Sequence, residues 1–202
     1  MRKVDPVKHE ENRREILAAA ARCFGRSGFR GASTANICAE AEISPGRLYH
    51  YFVSKEAIIE AMIDDYLERA AARFGEATNG TSVVDALVAQ MDWLVTEQAR
   101  RGTPLLFEMF AEAGRNPVMA KLLAEHSRGM LKLLADLLRH GQARGDIDPA
   151  IEPEPVAAVL ISILDGSKTL ALRKPHITPG DHVEVLRSLL SRFLAPCGGA
   201  SR

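Results

Sequence analysis

Between Gly31 and Glu56 the chain reads GASTANICAEAEISPGRLYHYFVSKE, a stretch that sets hydroxyl, aromatic and basic groups around helix ends. The hydroxyls of Thr34, Ser44 and Tyr49 and the ammonium of Lys55 can hold phosphate oxygens. A helix starting after Ser44 adds free N–H donors and partial positive charge, which also suit phosphate. Arg47 can bond a guanine edge in two places, or reach only phosphate. Pro45 or Gly46 can sit against a thymine methyl, and His50 can meet phosphate or a base edge. Phosphate contacts fix position and base contacts carry sequence information, so this residue set suits double-stranded DNA.

Two short helices and a turn are needed to position these groups. Ser33 and Thr34 can cap a helix starting near Ala35, where Ile37 and Ala41 lie four apart on one face. The run breaks at Ile43-Ser44-Pro45-Gly46. Ser44 is a good N-cap, and Pro45 suits the first helical position. A helix from Pro45 to about Phe52 turns Leu48 and Phe52 inward and leaves Arg47, Tyr49 and His50 outward. Ser54 caps the next helix. The motif spans about residues 33–52, and a second helix of this kind enters the major groove in helix-turn-helix proteins.

The same residues carry a family resemblance. Arg14, Ile16-Leu17, Ala19-Ala20, Phe24, Gly28-Phe29, Thr34, Ile37, Ala39, Ala41, Ile43-Ser44, Gly46, Leu48-Tyr49, Tyr51-Phe52 and Ser54-Lys55-Glu56 resemble the pattern of TetR (tetracycline-repressor-like) transcriptional regulators. The likeness covers roughly residues 10 to 70. It implies an all-α homodimer, with three N-terminal helices on DNA and a variable C-terminal part that binds a small effector and dimerises. Glu42 departs from it, standing where the family usually has glycine. A left-handed backbone there costs a non-glycine residue about 1 kcal/mol or more.

Charge is distributed in keeping with this reading. Over 202 residues the formal net charge is zero, but residues 1–55 hold ten Lys/Arg against six Asp/Glu. The remainder holds sixteen against twenty, so the head is basic and the body acidic. Cys23, Cys38 and Cys197 are too scattered for a disulfide framework or zinc site, and the first two read as buried thiols. No run of about eighteen apolar residues suggests a membrane span. The first residues lack the apolar core of a signal peptide, so a cytoplasmic protein is expected.

The rest of the chain repeats the 3.6-residue period without strand alternation, which predicts about nine helices. The first runs from about Lys8 to Arg26 and ends at Gly28. The fourth runs from Lys55 to about Phe74, before a polar break over residues 75–81. Further helices are expected over about 82–101, 104–114, 117–144, 154–173 and 181–194. A DNA-binding domain over residues 8–70 and a body over residues 80–196 follow.

Large side chains in the body suggest an effector pocket, with Met91, Trp93, Phe107, Phe110, His126 and Met130 as candidate lining residues. Plain core packing is the alternative for each. Asp165 has Lys168 or Thr169 at hand as partner if buried. Arg30 either reaches the DNA backbone or is solvated. The last two helices are more apolar than a lone domain needs, which suits a four-helix homodimer interface. No catalytic motif, cofactor motif or metal spacing stands out, so no enzyme activity is expected. The function expected is a repressor of a palindromic operator, released by a small molecule. An architectural DNA-binding protein without effector stays open, as does a small-molecule-binding protein or enzyme with a vestigial head.

Overall fold

The computed structural model describes residues 5–94, 106–173 and 179–196. Every regular element among them is helical, in accord with the all-α expectation. In chain order they are α1 (Pro6–Gly31), α2 (Thr34–Glu40), α3 (Pro45–Tyr51), α4 (Lys55–Ala77), α5 (Val83–Leu94), α6 (106–113), α7 (Pro117–Arg144), α8 (Pro153–Arg173) and α9 (Pro179–Leu194). The stretches 95–105 and 174–178, where the fifth helix was expected to end and the last two helices to be joined, fall outside the described residues.

Helix ends follow their capping residues. Asp5 caps α1, which starts at Pro6, two residues before the expected Lys8, and its Oδ1 accepts from Val7 N at 3.0 Å. Gly28 takes φ 68° and ψ 170°, which breaks the helix where expected, and one more turn follows to Gly31. Asn116 opens α7 by accepting from Val118 N at 3.0 Å. α4 runs past Phe74 to Ala77, so the expected polar break begins as helix. Thr78 closes that end, its Oγ1 donating to Phe74 O at 2.8 Å.

The chain forms two compact units. One comprises Met1–Tyr66 with Arg101–His126, and the other Leu67–Arg100 with Ser127–Arg202. The first thus takes α6 and the start of α7 along with the N-terminal helices. In it Ile16, Ala20 and Phe24 of α1, Ile37 of α2, Leu48 of α3, Ile58 and Ile59 of α4 and Met109 of α6 are buried. Burying an Ile, Leu or Phe side chain contributes about 1.5–3 kcal/mol each. The apolar spacing read from the sequence is therefore the spacing that holds these short helices.

The second unit has one continuous apolar core. It includes Phe74, Val83, Leu87, Leu134, Leu138, Ile147, Leu160 and Leu164, with Val183, Leu186, Leu190 and Leu194 from α9. The four α9 residues recur at helical spacing and mark its inner face. Asp165 on α8 pairs with Lys168 at 2.8 Å, as one of its two expected partners allows. No described helix is long and apolar enough to cross a membrane.

Candidate nucleic-acid interface

The α2–turn–α3 segment is held at each joint by local hydrogen bonds. Ser33 and Asn36 form a capping box at the start of α2. Asn36 N donates to Ser33 Oγ at 3.1 Å, and Ser33 N donates to Asn36 Oδ1 at 2.9 Å. At the end of α2, Glu42 N donates to Ala39 O at 3.3 Å and Ile43 N to Cys38 O at 3.0 Å. This paired closure requires a left-handed residue between the helix and Ile43. Glu42 fills that place with φ 54°, so the strain anticipated from its side chain is present.

Ser44 then caps α3 by accepting from Arg47 N at 3.3 Å, with Pro45 in the first turn. Leu48 is fully buried and Phe52 nearly so. Pro45, Gly46, Arg47, Tyr49 and His50 are all exposed, and Tyr49 retains 51% of its surface. A Cβ placed on Gly46 would meet nothing within 4 Å. No neighbour in the fold requires that glycine, and its bare backbone leaves room for an approaching surface. Thr34, in the first turn of α2, is half-buried.

Arginines and a lysine fix this assembly from behind. Glu40 of α2 takes hydrogen bonds from Arg22 Nε at 2.6 Å and from Arg26 on α1. Those bonds, Arg26 first and Arg22 second, hold the Glu40 carboxyl below the usual carboxylate range. Lys55 is engaged inside the fold. Its Nζ donates to Phe29 O and Ala32 O, both at 2.9 Å, and lies 4.5 Å from the Phe29 ring centre. Two of three ammonium donors are therefore engaged on carbonyls at the end of α1, rather than presented to solvent. Sequence spacing gave no sign of this, because the partners lie 23 and 26 residues away.

Arg30 keeps 67% of its side-chain surface exposed and donates from Nε to Glu112 Oε1 at 2.9 Å. Arg115 Nε donates to the other oxygen of the same buried carboxylate at 2.8 Å. Arg115 first and Arg30 second hold the Glu112 carboxyl below its ordinary range. Glu112 and Asn12, which accepts from Arg47 Nη2 at 2.7 Å, are the residues of this region that sequence reasoning missed. Neither carries a local signal, since each meets its partner only through helix packing.

Cys23 and Cys38 are buried, as expected, and burial raises both thiols above their ordinary value. The pocket candidates are less unified. Phe107, Phe110 and His126 fall in the first unit, where Phe110 is 44% exposed and His126 lies 5.4 Å from the Tyr66 ring. Met130 is buried in the second unit. The side chains of Met91 and Trp93 lie outside the described residues. An open groove of about 520 Å³ lies on α9, lined by Val185, Ser188, Leu189, Arg192 and Phe193, none of them a candidate named from the sequence.

An outward α3 with polar and basic groups, locked to α1 and α2 by capped turns, defines a helix-turn-helix DNA-binding protein. Residues 16–62 match the model for bacterial regulatory proteins of the tetR family. Residues 83–195 match the model for the C-terminal part of BetI-type transcriptional repressors. The chain is 38% identical over 157 residues to the HTH-type transcriptional regulator UidR of Escherichia coli K12, covering 78% of this chain and 80% of UidR. The solved structure of Salmonella enterica GusR is similar, with TM-score 0.77 and 32% identity, covering 96% of this chain and 99% of that one. Reduced Escherichia coli NemR shares the fold at TM-score 0.74 and 24% identity, covering 93% of this chain and 99% of that one. The chain belongs to the TetR family of DNA-binding transcriptional regulators.

Proposed function

We propose that this regulator works as a homodimeric repressor that grips a palindromic operator and lets go when a small molecule binds its body. The observation that carries the reading is the outward set on α3: Pro45, Gly46, Arg47, Tyr49 and His50 all face solvent while Leu48 and Phe52 anchor the helix. Tyr49, Ser44 and Thr34 hold phosphate. Arg47 reads a base edge, with His50 beside it. Lys55 acts chiefly by fixing the end of α1, with one N–H left for the DNA backbone.

Dimerisation through α8 and α9 is supported by a second apolar face. Val159, Val185, Leu189 and Phe193 are 48–65% exposed, although they lie on helices whose opposite faces are buried. Two copies related by a two-fold axis cover such a face with itself. They then present two α3 helices to successive major grooves, roughly 34–36 Å apart. The effector acts only through unequal affinity for the DNA-competent and DNA-incompetent shapes, a coupling of about 1–3 kcal/mol in typical switches. The place of action is the cytoplasm, where a bacterial regulator meets its DNA.

Selection of bound duplexes from a random library by the full chain tests the proposal, followed by a screen for small molecules that release the selected duplex. The expected result is a two-fold symmetric sequence and at least one releasing compound class. Retention of no sequence above non-specific background would overturn it.

A further inference from the structure

The first two turns of α1 lie against the reading helix residue by residue. His9, Asn12 and Arg13 stand at helical spacing on one face of α1, and Arg47, His50 and Tyr51 do the same on α3. The His9 ring is 4.6 Å from Tyr51 and 6.1 Å from His50. The Arg13 guanidinium lies 6.0 Å from the Phe52 ring centre. Asn12 Oδ1 accepts from Arg47 Nη2 at 2.7 Å. The long, exposed arginine of α3 is therefore tied at its tip to a helix 35 residues earlier in the chain.

From this we propose that Asn12 is a specificity-positioning residue, holding the Arg47 guanidinium in the orientation in which it meets a base edge. This rests on Arg47 being a base reader, as proposed above. A guanidinium has five N–H donors, so one bond to Asn12 leaves the rest for the groove. An arginine free to swing can find phosphate anywhere along the backbone. One held at its tip has fewer orientations, and a bidentate base contact demands one of them. Asn12 touches no base in this scheme. It acts through Arg47, and its loss affects sequence choice at one base pair per half-site more than overall grip.

The test is duplex selection and competition binding with the full-length protein and four variants: Asn12→Ala, Asn12→Asp, Arg47→Ala and the Asn12→Ala/Arg47→Ala double. Arg47→Ala should lose roughly tenfold discrimination or more at one base pair. Asn12→Ala should relax the same base pair by roughly threefold to tenfold and leave other positions unchanged, a smaller effect than removing the reader itself. The double variant should discriminate no worse than Arg47→Ala alone, because both act through one contact. Asn12→Asp keeps the acceptor, so it should keep the preference while weakening binding to all sequences through its negative charge.

The proposal is overturned if Asn12→Ala keeps wild-type preference at the base pair that Arg47→Ala relaxes. Relaxation of that base pair by Asn12→Asp as strong as by Asn12→Ala also overturns it. If Arg47→Ala relaxes no base pair at all, base reading by Arg47 fails, and the role of Asn12 fails with it.

Discussion

The outward faces of α3 and α9 are both exposed, yet they are made of opposite chemistry. α3 offers Arg47, Tyr49 and His50 around a bare glycine backbone. α9 offers Val185, Leu189 and Phe193, with Arg192 at the edge of the groove. A polyanion rewards the first set, because charge-assisted bonds and counterion release drive its binding. An apolar partner surface rewards the second, because burying large side chains is favourable and charges at an interface centre are not. Exposure alone does not say what covers a face. The residue types on it do.

If that contrast is right, substitutions on one face should leave the other's property intact. The largest effect is expected from Leu189→Glu with Phe193→Glu. Each removes apolar burial from both copies, about 3 kcal/mol or more per residue pair. Sedimentation should find monomers at concentrations where the wild type is dimeric, and operator affinity should fall by orders of magnitude. A dimer that survives both changes places the interface elsewhere.

Next in size is Tyr49→Ala. The dimer should persist in sedimentation while affinity for the selected duplex falls about tenfold, near 1.4 kcal/mol. Its sequence preference should stay as it was, because a phosphate contact positions without specifying. A changed base preference would make Tyr49 a reader.

A smaller effect should follow acidification. Glu40 and Glu112 have carboxyls held below the usual range by paired arginines. Groups with depressed folded values stabilise the fold above the ordinary carboxylate range, and that contribution is lost as pH falls through the folded value. Thermal melting from neutral pH towards about pH 3 should therefore show the first unit losing stability, read by hydrogen exchange at α1, α2 and α6. Glu112→Gln should lower the melting temperature at neutral pH and flatten the acid dependence. An acid profile identical to wild type would remove the arginine clamp from the account.

The smallest effect expected is a gain. Glu42→Gly removes a side chain from a left-handed position and should stabilise the head by roughly 0.5–1 kcal/mol, after allowing for the freer unfolded chain. Denaturant midpoints measure it directly, and a loss of stability would mean that the Glu42 side chain makes a contact worth more than its strain.

The reading head was more legible in the sequence than the body, for a physical reason. Capping is local: Ser33, Ser44, Ser54 and Asn116 sit within three residues of the N–H groups they satisfy. Even the strain at Glu42 followed from a turn that closes over a few residues. Contacts between helices leave no such trace, so the grip of Lys55 on Phe29 and Ala32, the pairing of Arg30 with Glu112 and the tie of Arg47 to Asn12 all escaped notice. In the body, a leucine at helical spacing reads the same whether it faces a core, a cavity or a twin. Leu186 and Leu190 are buried while Leu189 is exposed, and Val159 and Val185 joined the outward face without any distinguishing pattern.

The central claim is that α3 and its symmetry mate enter successive major grooves of one duplex. A DNA-cleaving reagent tethered to a cysteine at position 49, in a Tyr49→Cys/Cys197→Ser protein bound to the selected operator, tests this most directly. The account predicts two clusters of strand scission, related by two-fold symmetry and roughly 34–36 Å apart. A single cluster, or scission spread evenly along the duplex, would contradict it.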